Sequence, residues 1–151
     1  MEELKVLYQE VANIILPISN FDWEKVVIRF TKDEKNSAVG IFFKIEGKYV
    51  FIKELEREGL VDTSSYYLAL ISLASVVNKI QKVFKDNEQT VWKSMIYLME
   101  KDGECKVNYT YEELDEDMFR DDIVWRYKYL GMVPNESNMH YISGVEQNLI
   151  Q

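Results

Sequence analysis

The feature that most constrains this chain is a change of hydrophobic period, repeated in a fixed order. From Glu2 to Leu16, the residues Leu4, Leu7, Tyr8, Val11, Ile14 and Ile15 recur at helical spacing, which predicts an amphipathic helix ended by Pro17 and the Ser19-Asn20 pair. From Trp23 the period drops to two. Val26, Ile28 and Phe30 alternate with Val27 and Arg29 up to Thr31, and a polar turn spans Lys32 to Ser37. Val39, Ile41, Phe43 and Ile45 then line one side of a return strand, Ala38 to Glu46. Gly47 turns the chain into a third strand, Lys48 to Ile52. Three consecutive strands with such short connections predict an antiparallel meander.

The second half repeats the alternation of periods. Lys53 to Val61 reads as a charged loop. A long helix is predicted over Ser64 to Lys85, with Asp62 or Thr63 accepting free N–H groups at its start. Leu68, Ile71, Val76, Ile80 and Val83 form its expected apolar face, and Lys79, Lys82 and Lys85 suit the negative end of its dipole. Thr90 to Met99 and Cys105 to Tyr111 read as two more strands around an Asp102-Gly103 turn. A last helix ends at Gly131 and Pro134. The order αβββαββα predicts an α+β fold, an antiparallel sheet of about five strands packed against helices. With 151 residues the expectation is a single domain over residues 1–134, and a polar tail or short docked helix over residues 135–151.

Composition narrows the class. A hydrophobic share of 47% is that of a globular chain, not a disordered one. The lone Cys105 allows no internal disulfide and fits a reducing compartment. The start, MEELKVLYQEVANII, does not read as a signal peptide, and no apolar run is expected to span a membrane, so a cytoplasmic protein is expected.

The charge is unevenly placed. Residues 1–111 hold 17 acids and 15 bases, whereas residues 112–122 hold 7 acids and 1 base, so most of the net −8 sits in one short window. A nucleic-acid binder would show the opposite sign, so no direct nucleic-acid contact is expected. An acidic patch attracts basic partners and speeds their arrival, although solubility alone is the commoner reason for one. Helix capping by Asp121 or Asp122, and an Asp122–Arg126 pair at i+4, account for part of the cluster. They leave Glu112, Glu113, Asp115, Glu116 and Asp117 unexplained.

Catalytic chemistry is thin. His140 is the one histidine and Cys105 the one cysteine, so zinc sites built from several of them are excluded. The glycines are scattered and form no phosphate loop. Asp115, Asp117 and Asp121 resemble a calcium loop only superficially, because Arg120 stands where the loop needs glycine and no glutamate falls at its twelfth position. Ser64 and Ser65 read as a helix start, and Cys105 as a small buried apolar residue. No catalytic residue, metal ligand or cofactor is assigned.

The block DIVWRYKYLGMVP, Asp122 to Pro134, resembles the signature of the YezG/EsaG family of antitoxins, a "W-x-Y-K-Y-L-G-x-x-P" element carried here by Trp125, Tyr127, Lys128, Tyr129, Leu130, Gly131 and Pro134. The LYQEVANII helix, the DWEKVVIRF strand and the EQTVWKSMIYLMEKDGECKVNYTYEEL hairpin fit the same family in order, so the resemblance spans roughly residues 1–134. It implies an immunity protein, without catalysis, that neutralises a secreted nuclease toxin of the type VII (LXG) class by binding its C-terminal nuclease domain. A basic nuclease groove would meet the acidic window, so Glu112, Glu113, Asp115, Glu116, Asp117 and Phe119 are the expected partner-binding residues. Core packing is the alternative for Phe119, and the expected role for Trp125, Tyr127, Tyr129 and Leu130. Lys53–Gly59 is a second candidate surface. Two rival readings are a carboxylate-dependent metal enzyme and a regulatory module that binds another basic protein. The oligomeric state is open.

Overall fold

The computed structural model describes residues 2–150, which form two compact units divided between Glu112 and Glu113. In the first unit, helix α1 (Glu2–Ile15) buries Leu4, Leu7, Val11 and Ile15 at three- and four-residue spacing. A short 3-10 turn, Leu16–Ile18, takes up Pro17. Ser19 then closes the helix by donating its hydroxyl to the Ile15 carbonyl at 2.6 Å.

Strands β1 (Lys25–Lys32), β2 (Ser37–Ile45) and β3 (Lys48–Phe51) form the expected meander. In the first turn the Asp33 carboxylate accepts the N–H groups of Lys35 and Asn36. The second turn puts Glu46 and Gly47 at positive φ, a backbone that glycine adopts without strain. Strands β4 (Ser94–Glu100) and β5 (Cys105–Thr110) complete a sheet in the order β3-β2-β1-β4-β5, antiparallel throughout. The α+β expectation holds. The first strand lies at the centre of the sheet, flanked by a hairpin partner and by a strand that returns after a long excursion. Ile28 is opposite Ile41 on one side and Tyr97 on the other. Lys25, nearly buried, is matched across the β1–β4 pair by Glu100 at 3.1 Å.

Two expectations for that excursion need correction. Lys53 to Val61 is not a loop throughout, because helix α2 (Ile52–Arg57) occupies its first part. Its charges hide a helical signal: Ile52 and Leu55 are buried three residues apart, while Glu54 and Arg57 pair on the outside at 2.8 Å. The second correction concerns helix α3 (Thr63–Asp86), capped by Asp62 through the Ser65 N–H. Its buried stripe is Tyr66, Ala69, Leu73, Val76, Val77, Ile80 and Phe84. Leu68 and Ile71, expected inside, are 65% and 68% exposed. The front half of the helix is apolar on nearly every side, so periodicity could not choose between faces. By length and composition α3 also passes as a membrane span, against the expectation that no such run exists, yet its buried stripe belongs to the core.

That core lies between one face of the sheet and α1 with α3, which pack on each other. Val26, Ile28, Phe30, Phe43, Met95 and Tyr97 meet Val11, Ile15, Leu73 and Ile80 there. A tyrosine network ties α1 to the sheet. Tyr97 donates its hydroxyl to the Tyr8 carbonyl at 3.0 Å, and the Tyr8 and Tyr109 hydroxyls bond each other. Burial pushes all three phenols above their ordinary range.

In the second unit, helix α4 (Met118–Leu130) is followed by a 3-10 helix, Glu136–Ile142. The chain then returns along α4, where the N–H groups of Asn148 and Ile150 donate to the carbonyls of Lys128 and Tyr129 at 2.7 and 2.9 Å. Residues 148–150 are therefore tied to the end of α4 by backbone bonds.

Candidate interaction surface

Seven carboxylates close together must be either neutralised locally or left in water. The structure does both. The Asp115 carboxylate takes a two-pronged contact from Arg120, Nε to Oδ2 at 2.6 Å and Nη2 to Oδ1 at 2.9 Å, and also accepts the Asp117 N–H at 2.9 Å. Arg120 is the main cause that holds this carboxyl at about 2, and Asp115 in turn pushes Arg120 up. Because the folded pKa is depressed, whatever Asp115 contributes is present above its ordinary 3.8 and is lost as pH falls towards about 2.

Asp117 caps α4. Its Oδ1 accepts the N–H groups of Phe119 and Arg120 at 3.1 and 3.2 Å. The expectation that Asp121 or Asp122 caps is thus corrected: the helix starts at Met118, and Asp121 lies in its first turn. Asp121 accepts the Asp115 N–H at 3.2 Å, and Asp122 pairs with Arg126 at 2.8 Å as expected. Replacing Asp117 by Ala should lower stability by about 1 kcal/mol, the usual loss for an N-cap, while Asn should be nearly neutral. Urea unfolding of the two variants checks this; an equal loss in both would place the effect in charge, not capping.

Glu112, Glu113 and Glu116 are exposed. Glu112 closes the first unit, and the other five candidate residues lie in the second. Phe119 is 58% exposed, its ring held edge-on by Tyr141 at 6.1 Å, so it is no core residue. Glu113 to Phe119 therefore bring together exposed carboxylates, one clamped and one capping carboxylate, and a forward-standing aromatic ring.

The C-terminal block behaves differently. Trp125 and Leu130 are buried, and Tyr127, Lys128 and Tyr129 are half-buried. The Trp125 and Tyr129 rings lie 5.9 Å apart, and the Lys128 ammonium stands over Tyr129 at 5.2 Å. Gly131 takes φ 70°, its N–H donating to the Tyr127 carbonyl and that of Met132 to Arg126. Pro134 stands just before the 3-10 helix. Of the four residues expected to pack, Trp125 and Leu130 are buried, and Tyr127 and Tyr129 only partly so.

The remaining candidates are dispersed. Cys105 is exposed on β5, not buried, because its end of the edge strand faces water. His140 is exposed and stacks on Tyr141 at 4.0 Å. Among the described residues no group of three or more His, Cys, Asp or Glu side chains is placed to hold a metal ion. In the Lys53–Gly59 segment, Glu54, Arg57, Glu58 and Gly59 point outward. Sequence reasoning missed the exposed apolar side of α3. The absence of any charge from Thr63 to Asn78 was the signal that its burial needed checking.

Comparison with known proteins follows this geometry closely in extent. The family model described as "Immunity protein YezG-like" matches residues 4–143, both units included. The immunity protein YezG of Bacillus spizizenii is 24% identical over 138 residues, covering 88% of this chain and 86% of the relative. That of Bacillus subtilis is 20% identical over 143 residues, covering 91% and 93%. The type VII secretion system protein EsaG of Staphylococcus aureus is 21% identical over 152 residues, covering 97% and 93%.

Proposed function

The chain belongs to the YezG-like immunity protein family, and on that premise we propose that it binds and inhibits the C-terminal nuclease domain of a cognate secreted toxin through an acidic surface. Immunity proteins act by a role that is not enzymatic, so the carboxylate-dependent metal enzyme is set aside. The work is done in the cytoplasm, where an unexported toxin would meet its producer's own nucleic acid. Kinship with a type VII secretion system protein supports the secreted class of partner.

The observation that carries the reading is the charge and exposure of the stretch Glu112–Phe119. A nuclease must present basic residues to phosphates, and the same residues are attracted by exposed carboxylates. Asp115 and Asp117 are largely committed to Arg120 and to the helix start. Glu112 and Glu116, both exposed, are therefore assigned the steering, which governs the rate of encounter. Phe119 is assigned the anchor, since a desolvated aromatic governs release. Trp125 and its neighbours shape the helix that presents Phe119.

Replacing Glu112 and Glu116 together by Gln should slow association with the nuclease domain and flatten its salt dependence, with unfolding unchanged. Phe119→Ala should leave association nearly intact and speed release. Surface-based kinetics across a salt series measures both. An unchanged association rate at low salt for the Gln variant would place the contact elsewhere.

A further inference from the structure

We propose that the Phe119 and Tyr141 rings form a seat for a basic side chain of the protein partner, which brings the 3-10 helix Glu136–Ile142 into the contact. Both residues belong to the second unit. Phe119 is exposed in the first turn of α4, and Tyr141 is half-buried near the end of the 3-10 helix. Their ring centroids are 6.1 Å apart and their planes meet at 80°, so the rings make two walls of a corner. His140 stacks on Tyr141 at 4.0 Å and limits how that ring can turn. The corner is therefore held before a partner arrives, and less side-chain freedom is left to lose on binding. The family match runs through residue 143, so the 3-10 helix lies inside it, not beyond it.

Charge decides what the corner takes. The second unit carries 8 acids against 3 bases. All three bases are engaged within it: Arg120 grips Asp115, Arg126 pairs with Asp122, and Lys128 stands over Tyr129. Arg120 lies close enough to feel Tyr141, yet its Nε and Nη2 are spent on Asp115. Among the described residues no Lys or Arg stands over the Phe119 or Tyr141 ring. The electron-rich face of an aromatic ring attracts a cation, arginine most often. Exposed Glu116, just before α4, and Glu136, opening the 3-10 helix, add to the same field. That field opposes an anionic lipid surface or nucleic acid and favours a basic protein. The inference rests on the proposed binding of a nuclease domain, whose phosphate-binding groove supplies such side chains.

Leucine separates a cation seat from a merely apolar one, because it keeps the bulk and removes the ring. Phe119→Leu and Tyr141→Leu should each weaken binding of a fluorescent hexaarginine peptide to the full chain, and speed release of the nuclease domain, by roughly 3- to 30-fold. Tyr141→Phe keeps the ring and should match the wild type in both, and a hexaglutamine peptide should not bind. Circular dichroism should be unchanged in all three variants. If Tyr141→Leu fails to fold, Phe119→Leu, at an exposed position, decides the matter. Leu variants that hold the peptide as the wild type does would overturn the seat and make the corner an apolar contact. A nuclease that is bound and inhibited, with its release unchanged in the Leu variants, would also overturn the seat and leave the proposed function standing. A wild-type chain that does not bind the nuclease would contradict that function instead, and the peptide series alone would then decide the seat.

Discussion

Trp125→Ala is expected to lower the stability of the region around α4 by about 3–5 kcal/mol, the cost of removing a large buried aromatic and leaving its cavity. Trp125 is 7% exposed, and the turns that follow it are tied down by Gly131 and by the returning chain at Lys128 and Tyr129. The loss is a large fraction of the roughly 5–15 kcal/mol that holds a typical domain together. Because the chain forms two compact units, a single unfolding transition is not assured. Amide hydrogen exchange over residues 118–130 therefore reads the effect more directly than a global melt. The expected result is faster exchange throughout α4, with a smaller change in β1 and β4. Wild-type protection together with lost inhibition would make Trp125 a contact residue, and the inward reading of the motif would be wrong.

The contrast between Trp125 and Phe119 shows what a sequence can and cannot say. Both are aromatics on one helix, six residues apart in number but on different turns. The helix stop was legible because Gly131 and Pro134 have few other uses there. The helix start was not. Seven carboxylates offered several caps, and the choice of Asp117 depends on Arg120 folding back to clamp Asp115, a contact that local propensity does not encode. The strands were legible from their period and from the Asp102-Gly103 turn, but the position of β4 beside β1 was not, since periodicity carries no information about strand order. α2 was masked by its charges, and the face of α3 by having too few. At the surface, the concentration of acid could be counted directly. Its division into bound and exposed carboxylates required coordinates.

These distinctions bear on how an immunity protein of this family would work. A carboxylate already saturated by an arginine and a backbone N–H has less to offer a basic partner than one standing in water. The account therefore expects Glu112 and Glu116 to outweigh Asp115 and Asp117 in capture, although all are acidic and close in sequence.

The central claim is that the chain silences a nuclease by binding it. The most direct measurement is a titration of the purified chain into the purified C-terminal nuclease domain of its cognate secreted toxin, with DNA cleavage followed at each step. Cleavage should fall in proportion to added protein and cease near equimolar amounts, since typical tight complexes lie far below the working concentration. The chain alone should cleave nothing, with or without magnesium. Undiminished cleavage in the presence of excess folded chain would contradict the account.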